Sequence, residues 1–349
     1  MQYDLVLPGL VWPASGLAGP AADLELPALA ALIGHACVHW GAACTPEAWL
    51  ADRFQLAGKR IPYAWLRRLG EATTSPERSA HWLCIDPVHL HFARDKLLLA
   101  DASGLDITQA EADTLIAGLN ETFADIGRFE APAPDRWYLR AEREPRPFFH
   151  PLADVTGRPI QLFLPEGDDI PFWARLSNEL QVWLFNHPVN AAREAAGQRA
   201  INSAWLWGAG QPLTPIAPAP SLQADDPYTC GLIRASGGAP RSSGPYAAPG
   251  TDGFTLLTAL RRPLLHRDPD AWRATLGTIE RDWFAPLLAA LRSRHLSRLR
   301  ITAPGDRACL ELDVTAASLW KFWRKPLALD TLLRQTPNPA SDVASSTAP

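Results

Sequence analysis

Strand-forming runs that alternate with amphipathic helices predict an α/β fold: a mixed, mostly parallel sheet flanked by helices, with a smaller α+β lobe over about residues 81–167. Two observations carry this reading. Short apolar runs stopped by Gly or Pro, such as residues 3–7 before Pro8-Gly9, recur between helical patterns. Residues 81–92 and 96–100 read as adjacent strands, a hairpin-like feature foreign to a purely parallel sheet.

In order, residues 3–7 predict the first strand. Residues 26–39 predict a helix led in by Pro27, and Thr45-Pro46-Glu47 opens a second, with Thr45 as cap. A third helix spans 62–69 and stops at Gly70, before a loop over 71–79. After the two strands comes a turn at 101–104. Thr108-Gln109-Ala110-Glu111 is a capping box, so a helix follows to about Phe123. Residues 129–167, dense in Pro, Asp and Arg, predict short strands, including 137–140 and 160–164. Asp168 or Asp169 caps the next helix, with Pro171 in its first turn. Its core stripe is Trp173, Leu176, Leu180, Trp183 and Leu184.

That helix breaks at His187-Pro188, resumes as an Ala-rich helix, and enters the apolar run 201–207. The run ends in the turn Gly208-Ala209-Gly210-Gln211-Pro212. Residues 214–250 read as a long connection, and structure resumes over 254–260. A strong amphipathic helix spans 270–291 and carries Trp272, Leu276, Ile279, Trp283, Leu287, Leu288 and Leu291. A strand pair over 298–302 and 308–314 surrounds Pro304-Gly305-Asp306. A short helix over 318–324 closes a domain of residues 1–335, and the Pro/Ser/Thr/Ala stretch 336–349 reads as a disordered tail.

Composition narrows the function. Apolar residues make up 47 % and charged residues 20 %, and Lys+Arg 33 against Asp+Glu 37 gives a net charge of −4. A weakly acidic surface argues against nucleic acid and against anionic membranes as partners. The N-terminal apolar run has no basic lead and is punctuated by Pro8 and Pro13, so it reads as a buried strand rather than a signal peptide. Cys37, Cys44, Cys84, Cys230 and Cys309 are scattered without a CxxC, as expected of free thiols in a cytoplasmic protein.

The polar residues at the two breaks of the 177–212 stretch are the sharpest ligand candidates. His187, Asn190, Arg193 and Asn202 offer hydrogen-bond donors and one positive charge, beside the free N–H groups of a helix start. They predict a pocket for a small anion or phosphorylated ligand; no protein partner is specified. His89 and His91 share one strand face near Asp86, a polar group able to hold a cation or a phosphate.

Two stretches carry a family resemblance. One is Asp86-Pro87-Val88-His89-Leu90, continuing through Arg94-Asp95-Lys96-Leu97-Leu98-Leu99. The other is His187-Pro188-Val189-Asn190, then Arg193, Gly197, Asn202, Trp205, Trp207-Gly208 and Gly210. Over most of residues 1–330 the chain resembles the proteobacterial RpfE-type regulatory proteins, a phosphoglycerate-mutase-related group. Through these two stretches it is distantly similar to the archaeal-type, cofactor-independent phosphoglycerate mutases of the alkaline-phosphatase-like superfamily. The resemblance implies that superfamily's fold. In active mutases it implies two divalent metals held by Asp and His, a Ser or Thr nucleophile, and a transfer from 3- to 2-phosphoglycerate through a phosphoenzyme.

On that pattern Asp4, Asp86, His89 and Asp252 are the metal candidates, and Thr74 or Ser75 is the nearest positional match to the nucleophile. The late histidines His266 and His295 lack a metal-ligand context. The expectation is therefore a non-catalytic scaffold with a regulatory or small-anion-binding role and no cofactor. The alternative is a metal-dependent phosphomutase or phosphatase using Mn, Zn or Mg, in which Asp4, Asp86, His89, His187 and Asp252 converge on a Ser or Thr.

Overall fold

The computed structural model describes residues 1–12, 19–56, 60–71 and 76–337. Thr74 and Ser75 lie outside them, as does the tail from 338 onward. Among the described residues the strands are β1 (Gln2–Val6), β2 (Cys37–Gly41), β3 (His81–Ala93), β4 (Lys96–Ala100), β5 (Gly127–Ala133), β6 (Arg136–Ala141), β7 (Ser203–Trp207), β8 (Ser221–Gln223), β9 (Gly253–Leu256), β10 (Arg298–Ala303) and β11 (Cys309–Thr315). The chain divides into two compact units, residues 1–57 with 215–349, and residues 58–214. The second unit spans the whole stretch expected to form the α+β lobe.

The first unit holds a six-stranded sheet in the order β2-β11-β10-β1-β9-β8. β1 lies parallel to both β10 and β9, and β8 lies parallel to β9, while β10-β11 and β11-β2 are antiparallel. The mixed, mostly parallel sheet matches the expectation. Leu5, Leu299, Ile301, Leu310 and Leu312 bury one side against the helices Pro27–His35 and Pro269–Ile279. Trp272 donates its indole N–H to the Gly9 carbonyl at 2.8 Å, anchoring the turn after β1. Gly9 has φ +92°, and a Cβ there would lie 2.7 Å from the Leu260 carbonyl oxygen, so only glycine fits.

Several elements differ from the sequence expectation. The first helix ends at His35, and β2 occupies the residues expected to continue it; Ala36 is extended, and pairing with β11 outweighs local helix propensity. The 214–250 connection contains β8 and the helix Pro227–Ala235, capped by Asp226 with Pro227 in its first turn. That Asp-Pro start is a legible signal masked by the surrounding Pro, Gly and Ser. The 270–291 helix is interrupted by a π turn over Glu280–Phe284, one turn before Pro286, whose ring cannot sit against the carbonyl four residues back. The expected helix over 318–324 is only a 3₁₀ turn at Ser318–Trp320, and the closing helix is Leu329–Leu333.

The second unit is built on the 13-residue strand β3. Its start pairs with β6, its middle with β7 and its end with β4, all antiparallel, and β5 extends the sheet beyond β6. The helices Gln109–Thr122 and Ile170–Phe185 pack on this sheet through Leu115, Leu119, Trp173, Leu176, Leu180 and Leu184. The Thr108 capping box forms in full. Residues 160–164, expected as a strand, make the 3₁₀ turn Ile160–Phe163 instead. Asp169 stands at the start of the next helix with φ +68° and makes no cap; its carboxylate accepts from Arg143 at 2.6 Å.

Candidate functional site

The two stretches that carry the resemblance are neighbouring strands with their flanks. Asp86 of β3 lies opposite Trp205 of β7, and Val88 lies opposite Ser203. The Trp207 indole donates to Asp86 Oδ2 at 2.8 Å, and the Trp205 indole donates to the His150 carbonyl at 2.9 Å. Gly208 (φ +78°) brings the chain against the helix Tyr63–Glu71, where Ala64 N–H donates to the Gly208 carbonyl at 2.9 Å. A Cβ on Gly208 would meet Tyr63 Cβ at 3.0 Å, so the Trp-x-Trp-Gly-x-Gly pattern describes a strand laid tightly on a helix start.

Three of the four ligand candidates are internal fasteners. Asn190 is buried; its amide donates to the carbonyls of Leu184 (2.7 Å) and Ile201 (3.0 Å), and its carbonyl accepts from Ile201 N–H (2.7 Å). It ties the helix break to the strand that follows. Arg193 is 1 % exposed and donates to the carbonyls of Arg199 and Leu105 and to Glu111 Oε1 (2.8 Å). Asn202 imitates a strand partner, accepting from Leu90 N–H at 2.7 Å and donating to Leu90 carbonyl at 2.9 Å.

His187 caps the helix Pro188–Ala195 through Nδ1, which accepts from Val189 N–H at 3.2 Å. Its ring centre lies 4.7 Å from that of Trp183, tilted by 43°, and it borders an open groove of about 730 Å³ with Phe123, Arg175 and Val182. Burial holds this imidazole below its usual range, so it is neutral at pH 7. The four residues therefore do not converge on a common anion; each polar group but the His187 Nε2 edge meets the backbone or Glu111.

Asp86 is the most tightly held of the metal candidates. Arg67 grips both its oxygens, Nη1 to Oδ2 at 2.8 Å and Nη2 to Oδ1 at 2.7 Å, while Trp137 N–H (3.3 Å) and the Trp207 indole complete the shell. His89 donates from Nδ1 to the Ala200 carbonyl (2.9 Å), and it stacks on His91 at 5.7 Å. Burial, more than the neighbouring cations, lowers its affinity for a proton. Strand alternation turns His89 away from Asp86, so the pair expected to lie together is split between two faces. In the first unit Asp4 pairs with Arg53, and Asp252 Oδ1 accepts from Gln2 N–H at 2.8 Å. A divalent ion needs carboxylate lone pairs facing an open position. Asp86 offers its oxygens to a guanidinium and two N–H groups, so it does not fit that role.

The first unit carries a polar cleft that the sequence reading did not single out. It is about 460 Å³, and its polar lining includes His35, His39, Arg298, Lys321 and Arg324, with Glu311 and Asp313. Register makes this one face of the sheet: His39 lies opposite Glu311, Cys37 opposite Asp313, and Arg298 opposite Thr315. Arg298 is already committed to Asp313, with Nε 2.9 Å from each carboxylate oxygen. Arg324 donates from Nη1 to the Ala36 carbonyl at 3.0 Å, at the end of the first helix. His35 holds the Ala31 carbonyl through Nδ1 at 2.9 Å, which leaves Nε2 for the cleft. The signal was present as alternation in β10 and β11, where Leu and Ile face inward and Arg, Glu and Asp outward. The helix expected over 26–39 hides it, because that helix takes Cys37 and His39 off the sheet.

No protein-family model matches the chain. Over 60 residues it is 42 % identical to the 2,3-bisphosphoglycerate-independent phosphoglycerate mutase of Methanosarcina mazei, covering 17 % of this chain and 15 % of that protein. Over 72 residues it is 38 % identical to the 2,3-bisphosphoglycerate-independent phosphoglycerate mutase of Methanothrix thermoacetophila, covering 21 % and 17 % respectively. The chain thus spans only 15 % and 17 % of the length of these two relatives. The PH0037 protein from Pyrococcus horikoshii shares the fold, with a TM-score of 0.55 and 14 % identity over 90 % of this chain and 87 % of that one. Distant homology to cofactor-independent phosphoglycerate mutases and the mixed α/β fold expected with it are both present.

Proposed function

We propose that this phosphoglycerate-mutase-related chain binds a small phosphorylated or carboxylated metabolite in the polar cleft of the first unit, without turning it over. The observation that supports this is the approach of Arg298, Lys321 and Arg324, with two histidines, from four segments of chain to one cleft that also holds Glu311 and Asp313, where Arg298 already neutralises Asp313. Lys321 and Arg324 offer charge-assisted donors, and His35 and His39 add imidazole edges. A phosphoglycerate, with a phosphomonoester at one end and a carboxylate at the other, is the ligand class most consistent with the relatives. The internal commitments of Asp4, Asp86 and Asp252 favour binding over metal-assisted chemistry. Transmission of the bound state to a partner protein would make the role regulatory, as the RpfE-type resemblance implies. The test is calorimetric titration of the full chain with 3-phosphoglycerate, with and without added Mn or Zn. Saturable binding that does not need the metal supports the reading; no saturable binding refutes it.

The 42 % identity over 60 residues favours a second reading, a metal-dependent phosphomutase or phosphatase acting on a small phosphorylated metabolite. Thr74 or Ser75 would then supply the nucleophile. Hydrolysis of a generic phosphomonoester with added Mn or Zn, above background and lost in Thr74→Ala/Ser75→Ala, would establish it in place of the first.

A further inference from the structure

We propose that Cys44 and Cys309 form a peroxide-sensitive thiol pair that closes to a disulfide within the first unit. Cys44 lies in the short connection between β2 and the helix Pro46–Arg53, and its N–H donates to the Gly305 carbonyl at 3.0 Å. Gly305 belongs to the turn between β10 and β11, and Cys309 opens β11 directly opposite Gly41 of β2. These two connections bring Cys44 and Cys309 to the same end of the β2–β11–β10 sheet, where each thiol acts on the other's proton affinity. Both cysteines are reduced here, Cys309 buried and Cys44 half-buried, so the outer sulfur meets solvent first.

The pair divides the two roles a thiol switch needs. The Cys309 hydrogen bond draws the Cys44 thiol down to about 7 against the opposing effect of burial, with help from the Gly305 backbone. Cys309 moves the other way, raised by that same hydrogen bond and by burial. The attacking sulfur is therefore Cys44 and the resolving sulfur Cys309. Cys84 and Cys230 are both raised by burial, which leaves them protonated at neutral pH.

The oxidant is a hydroperoxide. The Cys44 thiolate attacks its terminal oxygen; the S–O bond forms, the O–O bond breaks, and hydroxide or alkoxide leaves. Cys309 then attacks the Cys44 sulfenic acid; the S–S bond forms, the S–O bond breaks, and the departing hydroxide takes the Cys309 proton as water. The two thiols lose two electrons and the hydroperoxide gains them. The product ties the N-terminal segment of the unit to its C-terminal hairpin, which are separated in the chain by the whole second unit. Such a long closed loop raises resistance to unfolding.

The test treats the full chain with stoichiometric hydrogen peroxide and maps cysteine peptides by mass spectrometry. The expected result is the loss of two of the five thiols and a Cys44–Cys309 linked peptide, reversed by dithiothreitol. In Cys309→Ser, a dimedone adduct accumulates on Cys44; in Cys44→Ser, Cys309 stays unmodified. A linked peptide that forms in wild type carries the proposal even if a serine variant fails to fold. Oxidation confined to the exposed Cys37, or Cys44 passing to sulfinic acid with Cys309 still free, overturns it.

Discussion

Arg67 and Asp86 face each other in the interior of the second unit as a two-point ion pair, at 2.8 and 2.7 Å. The guanidinium also lies 4.7 Å from the Tyr138 ring centre and 5.3 Å from that of Trp207. Burial works against its charge, but Asp86 and its neighbours more than offset this and hold the proton. Asp86→Ala would leave that charge buried without its partner. The expected loss is about 3–5 kcal/mol in urea unfolding. The double variant Arg67→Met/Asp86→Leu, which removes both charges, should recover most of it. A loss well under 1 kcal/mol for Asp86→Ala would contradict the structural role.

Asn190 separates a fastener from a ligand residue. Asn190→Ala strips partners from the buried Leu184 and Ile201 backbone groups. Unfolding should cost about 2–4 kcal/mol, while anion affinity stays as in wild type. Weakened anion binding at unchanged stability would return Asn190 to the ligand site.

His187 gives the second unit a pH dependence. Its folded proton affinity is depressed by burial, so the unfolded chain takes up the proton more readily. Stability is then unaffected above the unfolded value near 6.5 and falls as pH drops through it. Protonation also removes the Nδ1 acceptor used by Val189 N–H. Thermal melting between pH 7.5 and 5.5 should show a larger drop for wild type than for His187→Asn, which keeps a capping acceptor that does not titrate. Equal drops would rule His187 out as the source.

The π turn places Glu280 where it caps a distant helix. Its carboxylate accepts from Ala28 N–H at 2.5 Å and Leu29 N–H at 3.1 Å. Leu26, at the cap position, has no side-chain oxygen, and Pro27 has no N–H to satisfy. Glu280→Ala should cost about 1 kcal/mol and speed hydrogen exchange at the Ala28 and Leu29 amides. Unchanged exchange at both amides would contradict the cap.

Local chemistry was legible in the sequence, and long-range pairing was not. Thr45-Pro46 and the Thr108 box announce their helices because cap and donor are within four residues. The strand pair 298–302 and 308–314 is legible because a Pro-Gly turn joins it. β2 and the Glu280 cap depend on partners more than 200 residues away, and no local pattern encodes those. The site candidates suffered in the same way. His187, Asn190, Arg193 and Asn202 are polar residues at chain breaks, and polar residues gather there both to bind ligands and to satisfy interrupted backbone. What distinguishes the two uses is the distant backbone that takes up their hydrogen bonds, such as Ile201, Leu105 and Leu90.

The central claim is the anion site formed by His39, Arg298, Lys321 and Arg324. Lys321→Glu adds a negative charge to the cleft without breaking the Arg298–Asp313 pair or the Arg324 bond to the Ala36 carbonyl, and it should leave the fold intact by circular dichroism. Calorimetric titration with 3-phosphoglycerate should then show saturable binding by wild type and a loss of at least about tenfold in the variant, the scale of one charge-assisted contact. Equal affinity in the two proteins, or no saturable binding in either, would contradict the claim.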